Sequence, residues 1–288
     1  MPLQHIEIHA DITQSGDTAS NLLAQASGLS KQKIKSAMQK GAVWLTSGQH
    51  TRRFRRQGQL MKPGGKLHLY YDQTILNTEP LPAQLIADEN AYSVWYKPYG
   101  MWSQGSKWGD HCTLYRWAEQ HLSPQRNAFI VHRLDRAATG LVLIAHQKKI
   151  AAALSKQFQE RMINKQYQVI VHGDFPAGEA PLTINTEIDG RHACTHAKLI
   201  AYDAGSNRSL LDITIETGRK HQIRSHLASV GFPVVGDRLY GKGGEVEGDL
   251  QLSACRLSFI CPLKNREKVF TLPDTLRLTF SINGTRLD

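Results

Sequence analysis

Apolar residues over the first 75 positions recur at helical spacing and then at alternating spacing. Leu22, Leu23 and Ala26 line one side of a helix predicted over 18–27, opened by the N-cap chemistry of Asp17-Thr18 and closed by Gly28. Ser30 opens a second helix, in which Ile34, Ala37 and Met38 form an i, i+3, i+4 stripe, Lys31 and Lys35 share another face, and Gly41 ends the run. Val43 and Leu45 alternate as a strand, and after the turn Lys62-Pro63-Gly64-Gly65-Lys66 the run 67–71 reads as another. The pattern therefore predicts a small α/β module over 1–75. Pro80 and Pro82 stand among polar and small residues, so 76–86 reads as a linker. Beyond it, strand-like runs at 129–131, 140–145 and 167–171 are separated by helix-like segments at 148–162 and 220–230. That mixture predicts an α+β domain over 87–288. Gly241-Lys242-Gly243-Gly244-Glu245 reads as a mobile loop, and no internal repeat is visible.

Composition adds constraints. A chain of 288 residues, 41% of them hydrophobic, buries enough apolar surface to fold without staples, and none of its 4 cysteines forms a Cys-x-x-Cys pair. The start lacks the basic and apolar regions of a signal peptide, and no run of about 18 apolar residues occurs. A soluble, cytoplasmic, monomeric protein without a membrane partner is the expectation. Lys and Arg number 35 against 25 Asp and Glu, a net charge of +10 that favours a polyanionic partner, nucleic acid above all. Thr51-Arg52-Arg53-Phe54-Arg55-Arg56 is either a solvated loop or, with Lys31 and Lys35, one phosphate-facing surface.

Three segments carry candidate chemistry. In His132-Arg133-Leu134-Asp135-Arg136-Ala137-Ala138-Thr139-Gly140 a carboxylate sits between apolar strands and two arginines. Asp135 is either a turn cap or a nucleophile or base kept ionised by Arg133 and Arg136, which also attract phosphate. Thr217-Gly218-Arg219-Lys220-His221-Gln222-Ile223-Arg224 opens a helix whose start gathers Arg219, Lys220 and His221 where backbone N–H groups favour anions. Arg224, one turn on, shares their face rather than that of Ile223 and Leu227; a plain basic surface is the alternative. In Lys165-Gln166-Tyr167 the tyrosine shares a strand face with Val169 and Val171 and reads by itself as core. His192, Cys194 and His196 alternate along a strand and offer three metal ligands, but no fourth ligand or supporting carboxylate is recognisable, so no metal is expected. P-loop, Gly-x-Gly-x-x-Gly and Gly-x-Ser-x-Gly motifs are missing, which weakens ATPase, dehydrogenase and serine-hydrolase readings.

In order along the chain, Val94-Trp95-Tyr96-Lys97-Pro98-Tyr99-Gly100, His132-Arg133-Leu134-Asp135 with Gly140, Lys165-Gln166-Tyr167, Gly218-Arg219-Lys220-His221-Gln222-Ile223-Arg224-Ser225-His226 and Gly236-Asp237-Arg238-Leu239-Tyr240-Gly241 resemble the RluA-type pseudouridine synthase family. The 1–75 module is more loosely similar to the small S-four RNA-binding domain. The resemblance implies a mixed, mainly antiparallel sheet flanked by helices, and isomerisation of uridine in RNA without cofactor or metal. It assigns the essential aspartate to Asp135, the tyrosine stacked on the flipped uracil to Tyr167, and the basic partner of the carboxylate to Arg224. It gives Arg133 either an RNA contact or the place left by the flipped nucleotide, whose extrusion costs a few kcal/mol. Ribosomal RNA of the large subunit is the first target it implies and tRNA the second. Two departures stand out: Ala138-Thr139 replaces the usual Thr-Ser before Gly140, and Lys220 replaces a hydroxyl residue. Rival readings are a catalytically silent RNA-binding assembly factor and a metal-dependent nuclease built on His192, Cys194 and His196.

Overall fold

The computed structural model describes residues 5–241 and 248–280, so the predicted loop lies, beyond Gly241, outside the described residues. Two compact units emerge: the chain up to Leu81 together with Gln104–His121, and Pro82–Ser103 together with the chain from Leu122 onward.

The first unit contains β1 (His5–Asp11), α1 (Ala19–Ser27), α2 (Lys31–Gln39), β2 (Val43–Ser47), β3 (His50–Arg53), β4 (Gly65–Asp72), α3 (Gln73–Asn77) and α4 (Leu114–His121). Its antiparallel sheet runs in the order β1-β4-β2-β3. Both helix starts follow from capping: Thr18 Oγ1 accepts the Asn21 N–H and Ser30 Oγ accepts the Lys33 N–H, each at 3.3 Å. Gly28 closes α1 at φ 71°, where a side chain would be strained. The α2 stripe Ile34, Ala37 and Met38 is buried with Leu23, Leu67 and Leu69. Lys31 and Lys35 stay exposed.

Residues 104–121 were expected with the second domain and pack with the first unit instead. The cause is Asp110, 2% exposed, which meets Arg53 Nε at 3.2 Å and also accepts from Arg55 and from the Tyr115 hydroxyl. A buried carboxylate needs this many partners, and they lie in the arginine run. The expected linker is also shorter than 76–86, since α3 runs to Asn77 and the next strand opens at Gln84.

The second unit holds β5 (Gln84–Asp88), β6 (Tyr92–Lys97), β7 (Phe129–Ile130), β8 (Thr139–Ala145), α5 (Lys148–Gln159), β9 (Asn164–His172), β10 (Leu182–Ile188), β11 (Arg191–Asp203), β12 (Arg208–Ile215), α6 (Gln222–Ser229), β13 (Leu252–Ile260) and β14 (Glu267–Thr271). Its sheet runs β10-β11-β12-β9-β13-β8-β6-β5, with β14 on β13 and β7 on β8. Neighbours are antiparallel except β8 with β13, which makes the sheet mixed and mainly antiparallel. Gly140 lies at that parallel pair at φ 110°, where a Cβ would come within 2.4 Å of the Ala254 backbone. Among the described residues, one core gathers around Tyr167, Leu211, Ile213, Ile223 and Leu227, another around Tyr92, Val94, Leu143, Leu154 and Leu257, and a smaller cluster around Ile170, Leu210 and Val235. α6 begins two residues later than the sequence predicts because His221 adopts a left-handed φ of 54°. No helix among the described residues is long and apolar enough to cross a membrane.

Candidate active site

Asp135 lies on the loop between β7 and β8, and the backbone on either side of it is pinned. Ser103 donates its hydroxyl to the Leu134 carbonyl at 2.8 Å and accepts the Leu134 N–H at 3.0 Å. Lys97, the last residue of β6, is fully buried and donates to the carbonyls of Met101 at 2.9 Å, Pro98 at 3.1 Å and Arg136 at 3.2 Å. Burial pushes its pKa down to about 7 against the opposing pull of Asp135. Upstream, His132 Nε2 accepts the Leu143 N–H at 2.9 Å and the ring stacks on Phe158. Burial lowers the His132 pKa to about 3, so the imidazole is neutral, as an acceptor must be.

Asp135 is 29% exposed, with Oδ2 at 3.5 Å from an Arg224 terminal nitrogen and 3.8 Å from His221 Nε2. Arg224 is buried, which corrects the reading of it as part of an open face with Lys220 and His221. Its fork is taken by Asp237, Nε to Oδ2 at 2.7 Å and Nη2 to Oδ1 at 2.6 Å, and Asp237 Oδ1 also accepts the N–H groups of Leu239 and Tyr240. Burial works against the Arg224 charge, yet the Asp237 bonds and the charges of Asp237 and Asp135 hold its pKa above the usual value. Burial likewise opposes ionised Asp237, and the Arg224 fork with the two backbone N–H groups overcomes it, lowering its pKa. The result is an Asp135–Arg224–Asp237 array in which Asp237 is buried and Asp135 is partly exposed.

Tyr167 on β9 is 7% exposed and shares one core cluster with Ala138, Ile213 and Ala254, with Leu134 packed against it. Burial, then the charge of Asp135, raises its pKa, so the phenol stays protonated at neutral pH. Asp135, Tyr167 and Arg224 thus converge. The departure at 138–139 is absorbed locally: Ala138 is buried beside Tyr167, and the Thr139 hydroxyl donates to the Leu252 carbonyl at 3.4 Å.

The predicted RNA contacts divide into free and engaged side chains. Arg133 and Lys220 are exposed. Arg219 donates to the His192 carbonyl at 3.0 Å. Arg136 donates to the Gly100 carbonyl at 3.1 Å and lies 4.8 Å from the ring centre of Trp102, which is 47% exposed. In the first unit Arg52 and Arg56 are exposed, whereas Arg53 and Arg55 are held by Asp110. Sequence reading missed the parts played by Lys97, Ser103 and Asp237. A lysine ending an apolar strand before Pro-x-Gly was a usable signal for the first; Ser103 carried none.

The family model described as RNA pseudouridylate synthase matches residues 91–229, a span that includes Asp135, Tyr167 and Arg224. An uncharacterized RNA pseudouridine synthase of Chloroflexus aurantiacus is 33% identical, over 91% of this chain and 87% of the relative. A ribosomal large subunit pseudouridine synthase D of Zymomonas mobilis is 27% identical over 71% of this chain and 74% of that protein. The solved structure of human RNA pseudouridylate synthase domain containing 1 shares the fold at a TM-score of 0.56 and 22% identity, over 68% of this chain and 86% of that one. With Asp135, Arg224 and Asp237 brought into contact from separate motifs and a third of the residues shared across most of a relative's length, the chain belongs to the RluA-type RNA pseudouridine synthases, isomerases that act on uridine in RNA.

Proposed function

We propose that the chain isomerises uridine in large-subunit ribosomal RNA, with Asp135 reacting at the ribose, Arg224 orienting it and Tyr167 supporting the extruded uracil. The observation that carries this reading is the Asp135–Arg224–Asp237 array. Asp237 fixes the guanidinium by two bonds, the centre of the Tyr240 ring lies 5.3 Å from it, and its Nη1 donates to Asp135 at 3.5 Å. A carboxylate so oriented, on a loop pinned by Ser103 and Lys97, is preorganised to act as nucleophile or base while the N-glycosidic bond breaks and the carbon–carbon bond forms. The neutral Tyr167 ring offers an apolar surface on which a base can stack. Ribosomal RNA is favoured over tRNA because relatives named ribosomal large subunit pseudouridine synthase D, from Zymomonas mobilis and Nitrosomonas europaea, are 27% and 32% identical. The first unit acts as an S-four-like RNA-binding module through the exposed Lys31, Lys35, Arg52 and Arg56.

Tritium release from RNA labelled at uridine carbon 5, taken from cells lacking the gene and split into ribosomal and transfer fractions, tests this. Wild type releases label from the ribosomal fraction. Asp135→Ala releases none while binding RNA within a few fold, because it removes a reacting group rather than a phosphate contact. Release by Asp135→Ala overturns the assignment of the aspartate. Release from tRNA alone moves the target, and tight binding without release makes the chain a silent assembly factor.

A further inference from the structure

The alternating His192, Cys194 and His196 of β11 lacked a carboxylate in the sequence, and the fold supplies one. Glu216, one residue past β12, lies opposite Cys194, its N–H donating to the Cys194 carbonyl at 3.2 Å. Glu216 Oε1 stands 2.9 Å from His196 Nε2, and that nitrogen stands 3.6 Å from Cys194 Sγ. The three ligand atoms lie within 4.8 Å of one another. A tetrahedral zinc ion, with bonds of about 2.3 Å to sulfur and about 2.0 Å to nitrogen, spaces those two atoms about 3.5 Å apart. The same geometry asks for about 3.3 Å between nitrogen and oxygen. Glu216 is 56% exposed and able to draw back by that small amount.

The surroundings are those of a supported site. His196 Nδ1 lies 2.9 Å from Thr183 Oγ1 on β10, which fixes the ring and directs Nε2 to the cluster. Cys194 is held by its backbone: its N–H donates to Thr217 Oγ1 at 3.1 Å and its carbonyl accepts Gln222 Nε2 at 2.9 Å. We propose that Cys194, His196 and Glu216 bind one divalent transition-metal ion, zinc by preference, with a fourth position open to solvent. Sulfur, imidazole and carboxylate together suit zinc and cobalt better than magnesium or calcium, which take oxygen ligands. Binding displaces the thiol proton to solvent. The inference is independent of the reaction proposed for Asp135.

Cobalt(II) titration of the metal-free, full-length protein tests it, because a thiolate ligand produces a charge-transfer band in the near ultraviolet. One equivalent should saturate the band and zinc should displace it. Cys194→Ser should abolish the band, and Cys112→Ser should leave it unchanged. Glu216→Gln, at an exposed side chain and checked for native circular dichroism, should weaken zinc affinity about tenfold or more in competition with a chromophoric chelator. The absence of a saturable band, its survival in Cys194→Ser, or an unchanged affinity in Glu216→Gln overturns the site and leaves a hydrogen-bonded cluster only.

Discussion

Lys97 gives three carbonyls a donor in a place water does not reach, so its proton is linked to folding. An unfolded lysine titrates near 10.5, and this one near 7. Between those values the unfolded chain binds more protons than the native one, so this group's contribution to stability rises with pH through the window and is smallest at its lower end. In urea unfolding at pH 7 and pH 9, wild type should therefore gain stability relative to Lys97→Met, and parallel behaviour of the two proteins would remove the linkage. Asp237 has a different role, holding Arg224 by two hydrogen bonds and thereby supporting the part proposed for Asp135. Asp237→Asn should destabilise by about 3–5 kcal/mol, since it leaves a buried guanidinium without its partner. Its kcat should fall with KM for RNA little changed; a rise in KM alone would place Asp237 in substrate binding rather than in positioning. The role of Asp237 was not legible in the sequence, because it depends on Arg224 arriving from another segment; for Lys97 the position at the end of an apolar strand was a usable signal, but its bond to the Arg136 carbonyl, 39 residues on, was not. Asp135 was legible as a candidate, since a carboxylate flanked by Arg133 and Arg136 between two apolar runs stands out locally, while its role came from the family resemblance.

Gly140 couples two elements directly. It is the second residue of β8, just past the Asp135 loop, and a Cβ there would collide with the Ala254 backbone of β13. Gly140→Ala should cost about 2–4 kcal/mol, measured by chemical denaturation, from a left-handed φ and backbone overlap together. A cost below about 0.5 kcal/mol, the ordinary scatter of surface changes, would show that the parallel pair yields easily. At this scale the sequence was most informative where the determinants are local. Thr18, Gly28 and Ser30 cap the helices they were expected to cap. The start of α6 was misread because the left-handed turn at His221 is imposed from outside: Gln222, buried, accepts from Thr217 and Arg219 and donates to Cys194 and Thr195. Sheet order is likewise a matter of nonlocal pairing, which alternation alone does not encode.

At the scale of the whole molecule, the basic residues behind the net charge of +10 include arginines that face water, such as Arg52 and Arg56, and arginines that serve the fold, such as Arg53 and Arg55. Only the former can release counterions from RNA. The double change Arg52→Ala/Arg56→Ala should lower the slope of log affinity against log salt by about 1.5, from roughly 0.7–0.9 per phosphate contact. An unchanged slope would mean that these side chains do not touch RNA. Arg53→Ala/Arg55→Ala should instead lower the melting temperature, since it leaves Asp110 buried and unpaired. Composition gave no means of telling the two pairs apart; that distinction required knowing where Asp110 lands. The same aspartate limits how the protein can be dissected. A cut in the proline-rich stretch at 80–82 would separate the arginines from the carboxylate they enclose, some thirty residues downstream. The first unit is therefore not a detachable cassette: excising it intact means keeping residues 104–121 and rejoining them by a short artificial connector, and swapping it between relatives calls for two exchanged segments rather than one.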